Sequence, residues 1–105
     1  MTFRIVRTVD TDLDRIVPRL ESARPGLGLR LVRELFEATN AIESNPWLFS
    51  AVDDPPVASG EFREALILRA TYRVVYRIHG DDIVVLAIRQ TSQRPGSWHS
   101  SLTEE

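Results

Sequence analysis

FREALILRATYRVVYRIHGDDIVVLAIRQTSQRP, residues 62–95, is the stretch that decides how this chain folds. Within it, Tyr72, Val74, Tyr76 and Ile78 alternate with Arg73, Val75 and Arg77. Period-two alternation of β-branched and aromatic residues predicts a half-buried strand. His79-Gly80-Asp81-Asp82 predicts a turn. From Ile83 to Ile88 every residue is apolar, which predicts a strand covered on both faces. Residues 65–68 form another apolar run, separated from Tyr72 by Arg69-Ala70-Thr71. Short connections favour antiparallel neighbours, so 62–95 reads as a three-stranded meander.

Working back from there, residues 3–8 predict a first strand, with Phe3, Ile5 and Arg7 on one face and Arg4, Val6 and Thr8 on the other. Residues 12–22 carry Leu13, Ile16, Val17 and Leu20 at helical spacing, with Thr8 or Asp10 available as a cap. Asp10, Asp12 and Asp14 fall where the helix dipole favours negative charge. Pro18 removes a donor inside this helix and predicts a kink or two short pieces. After the breaker at 22–26, a second helix is expected over 27–44. Leu27, Leu31, Leu35, Ala38 and Ile42 make its stripe, widened by Leu29, Val32 and Phe36. Arg30 and Glu34 are spaced to pair, for about 0.3–0.5 kcal/mol. Asn45-Pro46 ends it. Residues 47–59 read as an irregular loop anchored by Trp47, Leu48 and Phe49. The expected order is βααβββ: an α+β domain over 1–98, with a helical hairpin on one face of a small, mainly antiparallel sheet. Trp98 docks the end of the domain, and 99–105 read as a frayed tail.

Bulk properties narrow the function. A chain of 105 residues with 43% hydrophobic and 27% charged residues supports one ordinary globular domain. With no cysteine, disulfide frames and zinc–thiolate sites are excluded. No run is long enough to span a bilayer and no signal-peptide pattern is present, so a cytoplasmic protein without membrane partners is expected. A net charge of −2 argues against a whole-surface nucleic-acid binder. The distribution says more: residues 62–98 hold six arginines against three acids, whereas 1–61 hold seven against ten. A basic sheet beneath an acidic helical layer follows, with the arginine side facing outward and the helices covering its back.

The order of elements, the tract Tyr72-Arg73-Val74-Val75-Tyr76-Arg77-Ile78, the Gly80-Asp81-Asp82 turn, Ile83 to Arg89, and Arg94-Pro95 followed by Trp98 together resemble the RelE/ParE toxin superfamily of bacterial type II toxin–antitoxin systems. Arg63 opening the second strand and Pro46 after the long helix fit as well. The resemblance covers nearly the whole chain and points to a ParE-like or plasmid-stabilisation protein. It implies a cognate antitoxin as partner, and either a homodimer or a toxin–antitoxin hetero-oligomer as the assembly. It also implies one of two targets, with an inert family member retained as a binding or stability factor as the further alternative. RelE-like members cut mRNA in the ribosomal A site; ParE-like members bind DNA gyrase.

Metal-free RNA cleavage needs a base, an acid and cations for the phosphorane. Arg73 matches the strand arginine that contacts the scissile phosphate in RelE-like nucleases, and Arg89 or Arg94 would stabilise the transition state. The lysines of those enzymes have no counterpart: Glu64, Ala65, Leu66 and Ile67 stand there instead. Gln90 occupies the position of a common histidine and cannot move a proton. His99 titrates in a useful range but sits in the expected tail. The expectation is therefore a target-binding surface of Arg63, Arg73, Arg77, Arg89, Arg94 and Trp98, with no cofactor and no metal. Plainer roles stand beside it. Arg73 and Arg77 could be a solvated face, Arg63 and Arg89 could pair with Glu61, Glu64 or Asp82, and His79 could be a turn residue. Tyr72 and Tyr76 are core positions whose hydroxyls find partners.

Overall fold

A computed structural model describes residues 2–52 and 62–91. Its elements are β1 (Thr2–Ile5), α1 (Arg7–Ala23), α2 (Leu27–Ser44), β2 (Ser50–Ala51), β3 (Phe62–Ile67), β4 (Tyr72–His79) and β5 (Asp82–Gln90). The five strands form one sheet in the order β1-β5-β4-β3-β2. β1 runs parallel to β5 and every other pair is antiparallel. The α+β fold with a helical hairpin is the expected one. It gains β2, two residues from the segment read as irregular, which pair with Arg63 and Glu64.

β1 ends at Ile5 and α1 begins at Arg7, not at Asp12. The edge of β5 explains this. Beyond the Ile5–Val85 pair, the Val6 N–H donates to the Val85 carbonyl (3.0 Å). The Thr8 hydroxyl then donates to the Leu86 carbonyl (2.9 Å), and the Asp12 carboxylate accepts the Ile88 N–H (2.9 Å). The first turns of α1 thus serve the stretch of β5 that β1 leaves unpaired. Thr8 and Asp10 lie inside the helix, and no side chain caps it. Nor does Pro18 divide α1. Pro18 and Asp14 are both exposed, so water can serve the carbonyl that the proline leaves without a donor.

At the hairpin turn, Gly26 takes φ +90°, which favours glycine. A Cβ at Gly28 would lie 2.9 Å from the Val17 carbonyl, so the two helices can approach this closely only through a glycine. The Glu21 carboxylate accepts the N–H groups of Gly26 (2.9 Å) and Leu29 (3.1 Å), which holds its pKa below the ordinary carboxylate value.

The α2 stripe of Leu31, Leu35, Ala38 and Ile42 is buried, but Leu29 and Phe36 are 60% and 68% exposed and do not widen it. At about 100° per residue, Leu29 points away from Leu31 by roughly 200°. Tyr72, Val74, Tyr76 and Ile78 of β4 all lie in the core with Ile16 and Leu31. Through the register, Arg63, Ala65 and Ile67 of β3 share their face. A bulge separates the Val75–Ala87 pair from the Tyr76–Val85 pair, so Leu86 is an extra residue. Its insertion resets the alternation of β5, and Ile83 and Val85 face the helices alongside Ile88.

Candidate functional site: the arginine face of the sheet

The other face of β4 presents Arg73, Val75 and Arg77. Glu64 and Leu66 of β3 and Ala87 and Arg89 of β5 stand beside them in register. Arg73 and Arg89 are directly opposed on neighbouring strands. Like charges at such a pair repel unless each is compensated, and each is. Arg73 Nη1 lies 3.3 Å from Glu64 Oε2, and Arg89 Nη1 lies 2.7 Å from Asp12 Oδ1. These are not surface pairs. The side chains of Arg73 and Arg89 are only 12% and 11% exposed, and that of Asp12 5%.

Asp12 belongs to α1, yet it reaches Arg89 because it sits at the rim of β5, where it also accepts the Ile88 N–H. One carboxylate therefore completes a strand edge and neutralises a strand arginine. Arg15 adds a looser contact at 3.6 Å. Arg77 is held differently. Its guanidinium lies 5.6 Å from the ring centroid of Phe62, its cross-strand partner, and its Nη2 is 3.4 Å from His79 Nδ1. His79 is the last residue of β4 and not part of the turn proper.

Arg63 is not brought together with these three. It lies on the helix-covered face, in register with Tyr76. Its Nη1 donates to the Phe49 carbonyl, and its guanidinium stacks 4.8 Å from the Trp47 ring. Odd and even positions of a strand point to opposite faces, and Arg63 is one step out of phase with Phe62 and Glu64. It fastens the segment after α2 to the sheet. Of the expected anchors there, Phe49 packs on the core and meets Tyr76 edge-on at 6.5 Å, while Trp47 and Leu48 are 57% and 63% exposed. Arg94, Trp98 and His99 lie outside the described residues.

Both tyrosine hydroxyls find partners. Arg19 Nη2 donates to the Tyr72 hydroxyl (3.0 Å), and the Tyr76 hydroxyl donates to the Pro46 carbonyl (2.6 Å). Burial pushes the Tyr76 pKa up to about 12 despite the nearby Arg63 charge, so it stays protonated at neutral pH. Among the described residues no group of three acidic, histidine or cysteine side chains could hold a metal ion, and no helix is long and apolar enough to cross a membrane.

Asp12 is the residue that sequence reasoning misplaced. The sequence reading gives it only a helix-dipole role, beside Asp10 and Asp14. Its signal was present: Val9, Asp12 and Ile16 are spaced i, i+3, i+7, a single carboxylate on a stripe whose other two members are buried. A charge at such a position implies a buried partner.

Taken together, these features define a class: a small α+β protein with a helical hairpin on one face of a mixed sheet and arginines along the other. The family model described as ParE toxin of type II toxin-antitoxin system, parDE, matches residues 3–95. The chain belongs to this family and is a ParE-family toxin of a type II toxin–antitoxin system. Its fold is similar to that of a solved chain from the chromosomal ParDE TA system from P. aeruginosa, with a TM-score of 0.68 and 19% identity, covering 86% of this chain and 95% of that one. Comparison with curated proteins finds no match.

Proposed function

We propose that this toxin acts in the cytoplasm by binding a macromolecular target, with DNA gyrase the first candidate, and not by cutting RNA. One observation carries this reading. Arg73, which a RelE-like nuclease would need for phosphate, and Arg89, which with Arg94 is one of two candidates to stabilise the transition state, are each held by a carboxylate, Glu64 (25% exposed) and Asp12 (5% exposed). A phosphate arriving at Arg89 would displace Asp12 and leave it desolvated and unpaired, at a cost of about 3–5 kcal/mol, whereas at Arg73 it would have to compete with the partly exposed Glu64 at a smaller cost. Arg77, the third arginine of this face, lies over Phe62.

Neutralisation by an antitoxin suits the groove of about 440 Å³ between α2 and β3, lined by Arg33, Glu37, Ala41, Phe49 and Leu66. Among the described residues β2 pairs with only the first part of β3, so the later part of that edge borders the groove, while the 54% exposed Leu66 side chain turns to the arginine face. A segment of the antitoxin laid in this groove would cover the strand edge.

The test is a supercoiling assay with purified gyrase, alongside primer extension on mRNA from a translating extract. Inhibited supercoiling with intact mRNA is the expected result. Unaffected gyrase at large excess removes that target. A-site cuts that vanish in Arg73→Ala would replace the whole reading with ribosome-dependent cleavage.

A further inference from the structure

The α1–α2 turn and the β3–β4 turn border a second, open cavity of about 330 Å³, which meets the α2–β3 groove at Arg30. Leu20, Leu27, Leu68 and Tyr72 line it with apolar surface, and Arg24, Arg30 and Arg69 contribute cations. Leu68 and Tyr72 are buried and make its floor, whereas Arg24 and Arg69 are exposed and make its rim.

The charges around this cavity do not balance. Glu34 is committed to Arg30 (2.7 Å) and to the Leu68 N–H (2.7 Å). Glu21 is committed to the start of α2. Arg24 and Arg69 make no ion pair with a described carboxylate. Arg19 adds a fourth cationic group, donating to the hydroxyl of Tyr72 in the cavity floor.

The backbone points to the same place. Leu68, Arg69 and Ala70 have φ of 52°, 54° and 64°, three consecutive left-handed residues, none of them glycine. Each is disfavoured by contact between Cβ and the backbone. Glycine at Arg69 or Ala70 would relieve that cost. The turn keeps an arginine in a strained conformation at the mouth of a cavity, a pattern associated with binding sites.

We propose that this cavity binds a small organic anion, with its apolar body on the leucine–tyrosine floor and a carboxylate or phosphate between Arg24 and Arg69. The volume falls in the range of small-ligand sites, and guanidinium pairs match both anions in geometry. The site is independent of the arginine face and of the target that face engages.

The test is titration of the purified, isotope-labelled chain with phenylacetate, phenyl phosphate, neutral phenylacetamide and inorganic phosphate, followed by amide chemical shifts. Saturable shifts at Leu27, Leu68, Arg69 and Thr71 are expected with one or both aryl anions, at a dissociation constant of about 1 mM. Which aryl anion binds more tightly separates a carboxylate ligand from a phosphate ester. The amide and inorganic phosphate should bind at least about tenfold more weakly, and the Arg24→Ala/Arg69→Ala double variant should lose about tenfold in affinity. Arg69→Gly keeps the turn, because glycine adopts this φ freely, and removes the cation; it too should lose affinity. No saturable shift with either aryl anion at about 20 mM, equal binding of the amide, or full affinity in Arg69→Gly would overturn the proposal.

Discussion

The two faces of β4 are built from alternate residues of one strand, and they use polar atoms in opposite ways. On the helix side, Tyr72 and Tyr76 present mostly apolar surface and spend one hydroxyl each on a neighbouring segment. On the other side, Arg73 and Arg77 flank buried Val75, and full charges hold the strands together. An arginine-rich strand face in a small toxin invites a reading as a phosphate surface. The geometry says that two of its three arginines are first of all structural. Four measurements break or sharpen that contrast.

The largest effect belongs to Asp12→Ala. It removes the counter-charge of Arg89, whose side chain is 11% exposed, and leaves the Ile88 N–H without an acceptor. Loss of one partner from a buried pair costs about 3–5 kcal/mol. Denaturant unfolding should show a midpoint shift of that size. Asp12→Asn keeps an acceptor for Ile88 and should recover part of it. A loss below about 1 kcal/mol would mean that Arg89 is compensated elsewhere and the face is not structural.

What could be read from sequence divides along the same line. Apolar periodicity located both helices and the three main strands, because burial on one side imposes a repeat that survives without coordinates. It also identified Tyr72 and Tyr76 as core. Long-range pairings leave no periodic trace. Asp12 and Arg89 are far apart in the chain, and a continuation of β1 looked as good locally as a helix at Arg7. The Leu86 bulge, which decides which β5 residues face the helices, has no marker in an unbroken apolar run. Arg63 joins the target-binding set through the resemblance, as the arginine opening the second strand, although its register with Tyr76 puts it on the opposite face from Arg73 and Arg77.

Next in size is the Arg73–Glu64 pair, tested by a double-mutant cycle. Arg73→Ala and Glu64→Ala should each cost about 1.5–3 kcal/mol, the range for hydrogen bonds to charged groups, discounted toward the lower end because Glu64 is 25% exposed. The double variant should cost less than the sum. Strict additivity would show two arginine-face residues acting independently, and would return Arg73 to the pool of cations available to a target. The helix side provides the control. Tyr76→Phe removes the bond to Pro46 while keeping the ring against Phe49, and should cost about 1 kcal/mol.

The smallest effect is the one with a pH signature, and it asks whether the helix side also depends on charge. Glu34 on α2 accepts the Leu68 N–H at the start of the β3–β4 turn and pairs with Arg30. The Leu68 bond first, then Arg30, lower its pKa below the ordinary value of 4.5. A carboxyl with a depressed folded-state pKa stabilises the fold fully above its unfolded value, and that contribution fades as pH falls through the folded value. Glu34→Gln keeps an acceptor for Leu68 but has no charge at any pH. Wild type should therefore melt above the variant at neutral pH, by less than in any substitution above, and the gap should close in acid below 4.5. Because Glu21, whose pKa is also lowered, is present in both proteins, the difference between their curves isolates Glu34. A gap that stays constant into acid would assign the contribution to hydrogen-bond geometry alone, and would leave the arginine face as the part of the sheet that relies on ionised groups.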